Sequence, residues 1–194
     1  TGMSTLDEID RAVGAATESG APSVSILRCN STYPAKSSEM DLAAIPEMIK
    51  RWGIPVGLSD HTMGSVTAIG AVALGATILE KHITMRRSDG GPDGAFSLEP
   101  QEFAALVRDV REASLSLGTA RFGPSASEEN SLKFRRSLRA VADIKAGDKI
   151  TSHNVRSVRP AGGLMPDDFA SIDGSMARRD IAIGDPITRD LLQQ

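Results

Sequence analysis

Residues 56–82 read VGLSDHTMGSVTAIGAVALGATILEKH, and the division of that stretch decides the fold. Val56-Gly57-Leu58 is a short apolar run set off by Gly53 and Pro55. Ser65 opens a helix of small residues that lasts through Ala73, and Thr77-Ile78-Leu79 begins a second, continuously apolar run. Two strands with a helix between them imply parallel pairing, because parallel neighbours need a crossover connection.

The same alternation extends both ways. Upstream, Thr5-x-x-Glu8 is a capping box, Leu6, Ile9, Val13 and Ala16 form a helical stripe, and Gly20 stops the helix. Val24-Ser25-Ile26-Leu27 reads as a strand and the stretch from Cys29 to Ser38 as a polar loop. Leu42, Ile45, Ile49 and Trp52 give the next stripe, with Pro46 near its first turn. Downstream, a glycine-rich loop leads to Pro100 and the stripe Phe103, Leu106, Val107, Val110, which ends at Gly118. Three strands and four helices neither close a barrel nor complete a doubly wound sheet, so residues 1–118 read as the end of a larger α/β domain.

Residues 119–136 are polar, carry no sustained period and read as a linker. Residues 137–194 then form a small β-rich module with an internal repeat. Asp143-Ile144-Lys145-Ala146-Gly147-Asp148-Lys149-Ile150-Thr151 returns 37 residues later as Asp180-Ile181-Ala182-Ile183-Gly184-Asp185-Pro186-Ile187-Thr188, identical at six of nine positions. Each copy is expected to give a strand, a Gly-Asp turn and a second short strand.

Composition excludes several functions. With one Trp, one Tyr and five Phe in 194 residues, a surface that stacks nucleobases is not expected. A net charge of −3 with interspersed signs leaves no footprint for nucleic acid or an anionic membrane. The single cysteine, Cys29, forms no internal disulfide, and no apolar run is long enough to span a bilayer. A cytoplasmic location is expected.

Ligands of parallel α/β folds bind at the carboxyl ends of the strands. That rule selects Ser31 and Tyr33 after the first strand, Ser59-Asp60-His61-Thr62 after the second, and Glu80-Lys81-His82 after the third. His61 and His82 fall at equivalent ends of neighbouring strands, about 5 Å apart. Both could reach one divalent cation, or each could simply bond nearby backbone. Gly90-Gly91-Pro92-Asp93-Gly94 follows on the same rim, either as a plain turn or as a loop that aims Asp93 at a hydroxylated substrate. In the second module, Arg159 ends a strand before Pro160-Ala161-Gly162-Gly163, and the neutral reading is a solvated arginine. His153 reads as a capping or surface residue.

Tyr33-Pro34-Ala35, Gly57-Leu58-Ser59-Asp60-His61-Thr62, Glu80-Lys81-His82, Gly91-Pro92-Asp93 and Arg159-Pro160 stand in the order and spacing of the sialic acid synthase family, which the chain resembles throughout. The last module resembles the antifreeze-like SAF domain of these enzymes. Gly91-Pro92-Asp93-Gly94-Ala95-Phe96-Ser97-Leu98-Glu99-Pro100, Arg135-Arg136-Ser137-Leu138 and Arg159-Pro160-Ala161-Gly162-Gly163-Leu164 look most like the pseudaminic acid synthase branch. N-acetylneuraminate and legionaminate synthases are the neighbouring alternatives.

The resemblance implies strands six to eight of a (β/α)8 TIM barrel followed by the SAF domain. It also implies a swapped homodimer and condensation of phosphoenolpyruvate with an N-acetylated amino sugar, a transferase reaction dependent on a divalent cation such as Mn2+, or Mg2+ or Co2+. By the same resemblance His61 and His82 are the metal ligands and catalytic residues. Ser59 contacts phosphoenolpyruvate, and Ser31 stands where neuraminate enzymes have an asparagine. Tyr33 and Asp93 contact the sugar, and Arg159 reaches its N-acetyl group across the dimer. The family's catalytic glutamate and phosphate-binding lysines have no counterpart here. The chain is therefore expected to be inactive alone, and to have either a companion chain bearing the missing barrel half or a parent clipped after folding. The competing readings are an ice-binding module, which would want a flat regular threonine- or alanine-rich face, and a two-histidine metal hydrolase, which would want further ligands and a water-activating base.

Overall fold

The computed structural model describes residues 1–193 and divides the chain into two compact units, Thr1–Ala120 and Arg121–Gln194. The first unit is an α/β fold of four α-helices and three strands: α1 (Leu6–Glu18), β1 (Ile26–Cys29), α2 (Ala44–Trp52), β2 (Val56–Asp60), α3 (Val66–Ala73), β3 (Ile78–Lys81) and α4 (Pro100–Leu117), with short 3-10 turns at Ser37–Glu39 and Arg87–Asp89. Its sheet is parallel with order β1-β2-β3.

Local chemistry sets the helix ends. The Thr5 hydroxyl accepts from the Glu8 amide at 3.4 Å, while the Glu8 carboxylate accepts from the Thr5 amide at 2.7 Å. Gly53 closes α2 in the left-handed region at φ 63°, and Pro100 opens α4. On the helix side of the sheet, Val56 and Leu58 are buried against Ile45 and Met48 of α2 and Ala71 of α3. Ala68, Leu98 and Leu106 join α3 to α4. On the other side the register aligns Leu27, Gly57 and Ile78 across the three strands. A Cβ on Gly57 would lie 2.4 Å from the Ile78 carbonyl oxygen and 2.5 Å from Leu27 Cδ2, so the close approach of the strands requires glycine there.

All three strands run further toward their carboxyl ends than their apolar runs suggest. β1 begins at Ile26, two residues after Val24, and ends at Cys29. Arg28 is tolerated inside it because its Nε donates to the Met40 carbonyl at 2.9 Å and its Nη2 pairs with Asp41. β2 extends through Ser59 and Asp60, both buried but hydrogen-bonded. The stripe of α1 is only half covered: no residue of that helix is buried, and Ile9, Val13 and Ala16 line a cavity of about 530 Å³ together with Val24, Leu27, Cys29, Ser59 and Glu80.

In the second unit, residues 126–134 form a 3-10 helix, Ala126–Phe134, although they carry no helical period. A capping box between Ser125 and Glu128 holds its start. β4 (Ser137–Ala140) and β5 (Val155–Val158) pair antiparallel, as do β6 (Met176–Ala177) and β7 (Leu192–Gln193), with the short α5 (Phe169–Ile172) between β5 and β6. In the repeated segments isolated bridges stand where strands are expected: Ile144 pairs with Ile181 before the Gly-Asp turns, and after them Lys149 pairs with Met176 and Pro186 with Arg139. Ile144 and Ile181 exchange both backbone hydrogen bonds, at 2.9 and 2.8 Å. Asp143 accepts from the Ile183 amide at 2.8 Å, and its counterpart Asp180 accepts from the Ala146 amide at 2.9 Å. The two copies therefore face each other about a pseudo-twofold axis. Their isoleucines, Ile144 with Ile181 and Ile150 with Ile187, form the centre of the core, each worth about 2 kcal/mol of burial.

Gly163 sits against this core with no room for a side chain: a Cβ would lie 2.3 Å from the Leu138 carbonyl oxygen and 3.0 Å from that of Ile187. Gly163→Ala is expected to destabilise the second unit by about 2–3 kcal/mol, read as a lower midpoint in urea unfolding followed by circular dichroism.

Candidate functional site

The two-residue period of the strands places Ser59 and Glu80 side by side on the face opposite α2 and α3, and the Ser59 hydroxyl donates to Glu80 Oε1 at 2.6 Å. One step further along, His61 and His82 stand edge to face with ring centroids 5.2 Å apart. His61 is buried, and its Nδ1 lies 2.7 Å from the carbonyl oxygen of Asn30, just past β1. A carbonyl can only accept, so Nδ1 carries a proton, and in the neutral ring Nε2 is the nitrogen with the lone pair. The Ser59 hydroxyl lies 3.4 Å from that Nε2, but its single proton is committed to Glu80.

His82 is half-buried, with Nδ1 facing the Asp93 carboxylate at 3.5 Å. The loop that carries Asp93 is pinned at both ends. The Leu98 amide donates to the His82 carbonyl at 3.0 Å, and the Ser97 hydroxyl donates to the Asp93 carbonyl at 2.7 Å. Arg87 ties the loop to α4: its amide donates to Glu99, and its guanidinium donates to Ser97 O and to both oxygens of Glu102. Tyr33, half exposed, lies over His61 at a centroid distance of 4.3 Å, its loop held by the Ala35 amide donating to the His61 carbonyl at 2.9 Å.

The structure thus brings together His61, His82, Tyr33, Ser59 and Asp93. Ser31, next to Asn30, lines a groove with Gly2, Arg28 and Glu39. Arg159 belongs to the second unit, where it is exposed just after β5. The turn that follows it is clamped by Arg139, which donates to the carbonyls of Pro160, Ala161 and Gly184. His153 is exposed in a turn.

Sequence reasoning assigned no role to Asn30 or Phe96. Asn30 acts through its backbone carbonyl, which leaves no side-chain signal. Phe96 is buried with its ring 5.1 Å from His82, and its one signal was the scarcity of aromatic residues.

His61 is held by the bond from Nδ1 to the Asn30 carbonyl, the way outer partners hold metal-binding histidines, while His82 Nδ1 only faces the Asp93 carboxylate at 3.5 Å; in each ring Nε2 is left to serve an ion. Among the described residues no group of three or more His, Cys, Asp or Glu could hold a metal, so the pair would supply two positions and leave the rest to water or a ligand. The residues fit a divalent cation on those terms.

A parallel α/β sheet with such a cluster at the carboxyl ends of its strands has the layout of an α/β ligand-binding or enzyme site. Residues 1–122 match the NeuB family and residues 135–193 match the SAF domain, and the chain belongs to the NeuB family. It is 37% identical over 187 residues to a pseudaminic acid synthase of Campylobacter jejuni, covering 96% of this chain and 54% of the relative. It is 35% identical over 182 residues to an N,N'-diacetyllegionaminic acid synthase of the same species, covering 92% and 54%. The crystal structure of an N-acetylneuraminic acid synthetase from Leptospira borgpetersenii, in complex with citrate, is similar with a TM-score of 0.62 and 35% identity, covering 68% of this chain and 46% of that one. The chain thus spans about half the length of the curated relatives it matches. No helix among the described residues is long and apolar enough to cross a membrane.

Two outcomes test this geometry. Two-bond 1H–15N correlation is expected to show His61 as the Nδ1–H tautomer at neutral pH; an Nε2–H tautomer would contradict the bond to Asn30. The hydrogen bond from Arg87, followed by that from the Glu99 amide, lowers the Glu102 pKa from 4.5 to about 2. A carboxyl group with a depressed folded pKa stabilises the fold above its unfolded value and loses that contribution as pH falls through the folded one. The thermal midpoint of the first unit is expected to drop as pH falls from 4.5 toward 2, with part of that slope absent in Glu102→Gln.

Proposed function

We propose that the chain is the carboxy-terminal part of a nonulosonate synthase of the pseudaminic acid type. The reaction is condensation of phosphoenolpyruvate with an open-chain N-acetylated amino sugar, releasing phosphate. In this reading β1, β2 and β3 are strands six to eight of a (β/α)8 barrel, the second unit is the SAF domain of a swapped homodimer, and the protein works in the cytoplasm. The observation that carries it is the pair of imidazoles at the ends of adjoining parallel strands, each with Nδ1 turned away to an oxygen. The sequence relatives support the class, and the first of them support the branch.

His61 and His82 would hold the cation, which when bound supplies Lewis-acid polarisation of the sugar aldehyde. The remaining work falls to the chain's own residues. The Asn30 carbonyl fixes the His61 ring, and the rigid 83–99 loop presents Asp93 to accept hydrogen bonds from sugar hydroxyls. Tyr33 covers the rim above His61 and keeps water from that side. C3 of phosphoenolpyruvate forms the new bond to the aldehyde carbon, water adds at C2, and the adduct loses phosphate by C–O cleavage. Holding both substrates in register lowers the entropic part of the barrier. The SAF arginine, Arg159, would bind the N-acetyl carbonyl.

The test is incubation of the intact protein with phosphoenolpyruvate, Mn2+ and each candidate sugar, reading product mass and released phosphate. A nine-carbon keto acid is expected, with the pseudaminic precursor preferred over the legionaminic and neuraminic ones. His61→Gln and His82→Gln are each expected to lower turnover by about 100-fold or more, since loss of a ligand should exceed loss of an outer partner. Arg159→Ala is expected to raise KM for the sugar about tenfold with kcat nearly unchanged. Failure of every sugar to release phosphate would overturn the reading.

A further inference from the structure

Behind the imidazoles, on the helix side of the sheet, lies a charge pair that the proposed chemistry does not use. Lys81 Nζ donates to Asp60 Oδ2 at 2.8 Å and to the Thr62 carbonyl at 2.7 Å. The two side chains are 3% and 1% exposed. The other Asp60 oxygen accepts from the Thr62 amide at 2.9 Å and the Thr62 hydroxyl at 2.8 Å, and that hydroxyl lies 3.0 Å from the Thr67 hydroxyl in the first turn of α3.

Burying two charges is costly, and well-packed apolar residues would often serve stability as well or better. Position supplies the missing reason. Asp60 and Lys81 are paired in the parallel register, and His61 and His82 are the next residues on their two strands. β2 ends at Asp60 and β3 at Lys81, so the ladder stops where the histidines begin. Beyond that point the Lys81 bonds to Asp60 and to the Thr62 carbonyl bind the two chains together. Thr62 is on the far side of His61, so the lysine spans the residue that carries one of the imidazoles.

We propose that the Asp60–Lys81 pair is a positioning device for the histidines, fixing the separation and direction of the two strand ends so that both Nε2 atoms address one ion. The proposal rests on the metal reading given above. Outer groups of this kind typically change metal affinity by about 10–100-fold when removed.

Lys81→Met alone would leave the Asp60 carboxylate buried without its counter-charge and could unfold the unit. The primary variant is therefore the double substitution Asp60→Asn with Lys81→Met, which removes both charges and keeps an acceptor for Thr62. Mn2+ binding by the intact protein is followed by electron paramagnetic resonance, and the Co2+ form by its visible absorption bands. The double variant is expected to keep its circular dichroism spectrum, bind Mn2+ about 10–100-fold more weakly and show shifted Co2+ bands. Lys81→Arg is the second variant. It keeps the charge and the fold but cannot place one nitrogen between Asp60 and the Thr62 carbonyl, and a several-fold weaker affinity is expected. Affinity within twofold of the unaltered protein in whichever of these variants fold would overturn the positioning role while leaving the metal site standing. Absence of Mn2+ binding by the unaltered protein would overturn the metal reading and, with it, this role.

Discussion

On the central strand β2 the two-residue period of extended chain assigns opposite tasks to neighbouring residues. Val56, Leu58 and Asp60 face the helices, while Gly57 and Ser59 face the other way, in line with His61. Because β2 is hydrogen-bonded on both edges, neither its register nor its facing can slip without moving every side chain to the wrong side. The apolar half of the alternation anchors the strand, and the polar half delivers Ser59 and His61 to the rim. The same constraint on β3 delivers Glu80 and His82 while turning Lys81 inward. The site is thus a by-product of register, and the loops that follow the strands complete it with Asn30, Tyr33 and Asp93.

The parts legible in the sequence were those with a local signature. The capping box at Thr5, the stop at Gly53, the small-residue helix after Ser65 and the long helix after Pro100 all follow from side-chain chemistry within one or two turns. Strand ends were less legible. Arg28, Asp60 and Lys81 look like loop residues until their distant partners are known, since each is tolerated in or beside the sheet only through a bond to a residue well separated in sequence. The 3-10 helix at 126–134 was missed for a related reason: its sequence has no apolar period, and its start is fixed by the Ser125–Glu128 exchange.

The pairing of His61 with His82 was legible because strand ends in a parallel sheet are a countable set, and two of three histidines fell in it. What held them was not. The Asn30 carbonyl carries no residue-type signal, and the buried Asp60–Lys81 pair lies beside the motif rather than in the chemistry.

In the second unit, the reciprocal bonds between the two copies of the repeat make each the other's missing half. Asp143 satisfies an amide of the later copy and Asp180 one of the earlier, and each copy contributes half of the central isoleucine layer. A single copy would expose that layer and leave its own acceptor idle. Such a segment is self-complementary, and neither copy is a stable unit without the other. The aspartates and isoleucines that meet across the axis are the same in both copies, whereas the Lys145 ammonium, which also reaches Asp180, has only Ala182 as its counterpart, so that ion pair is made once and not twice.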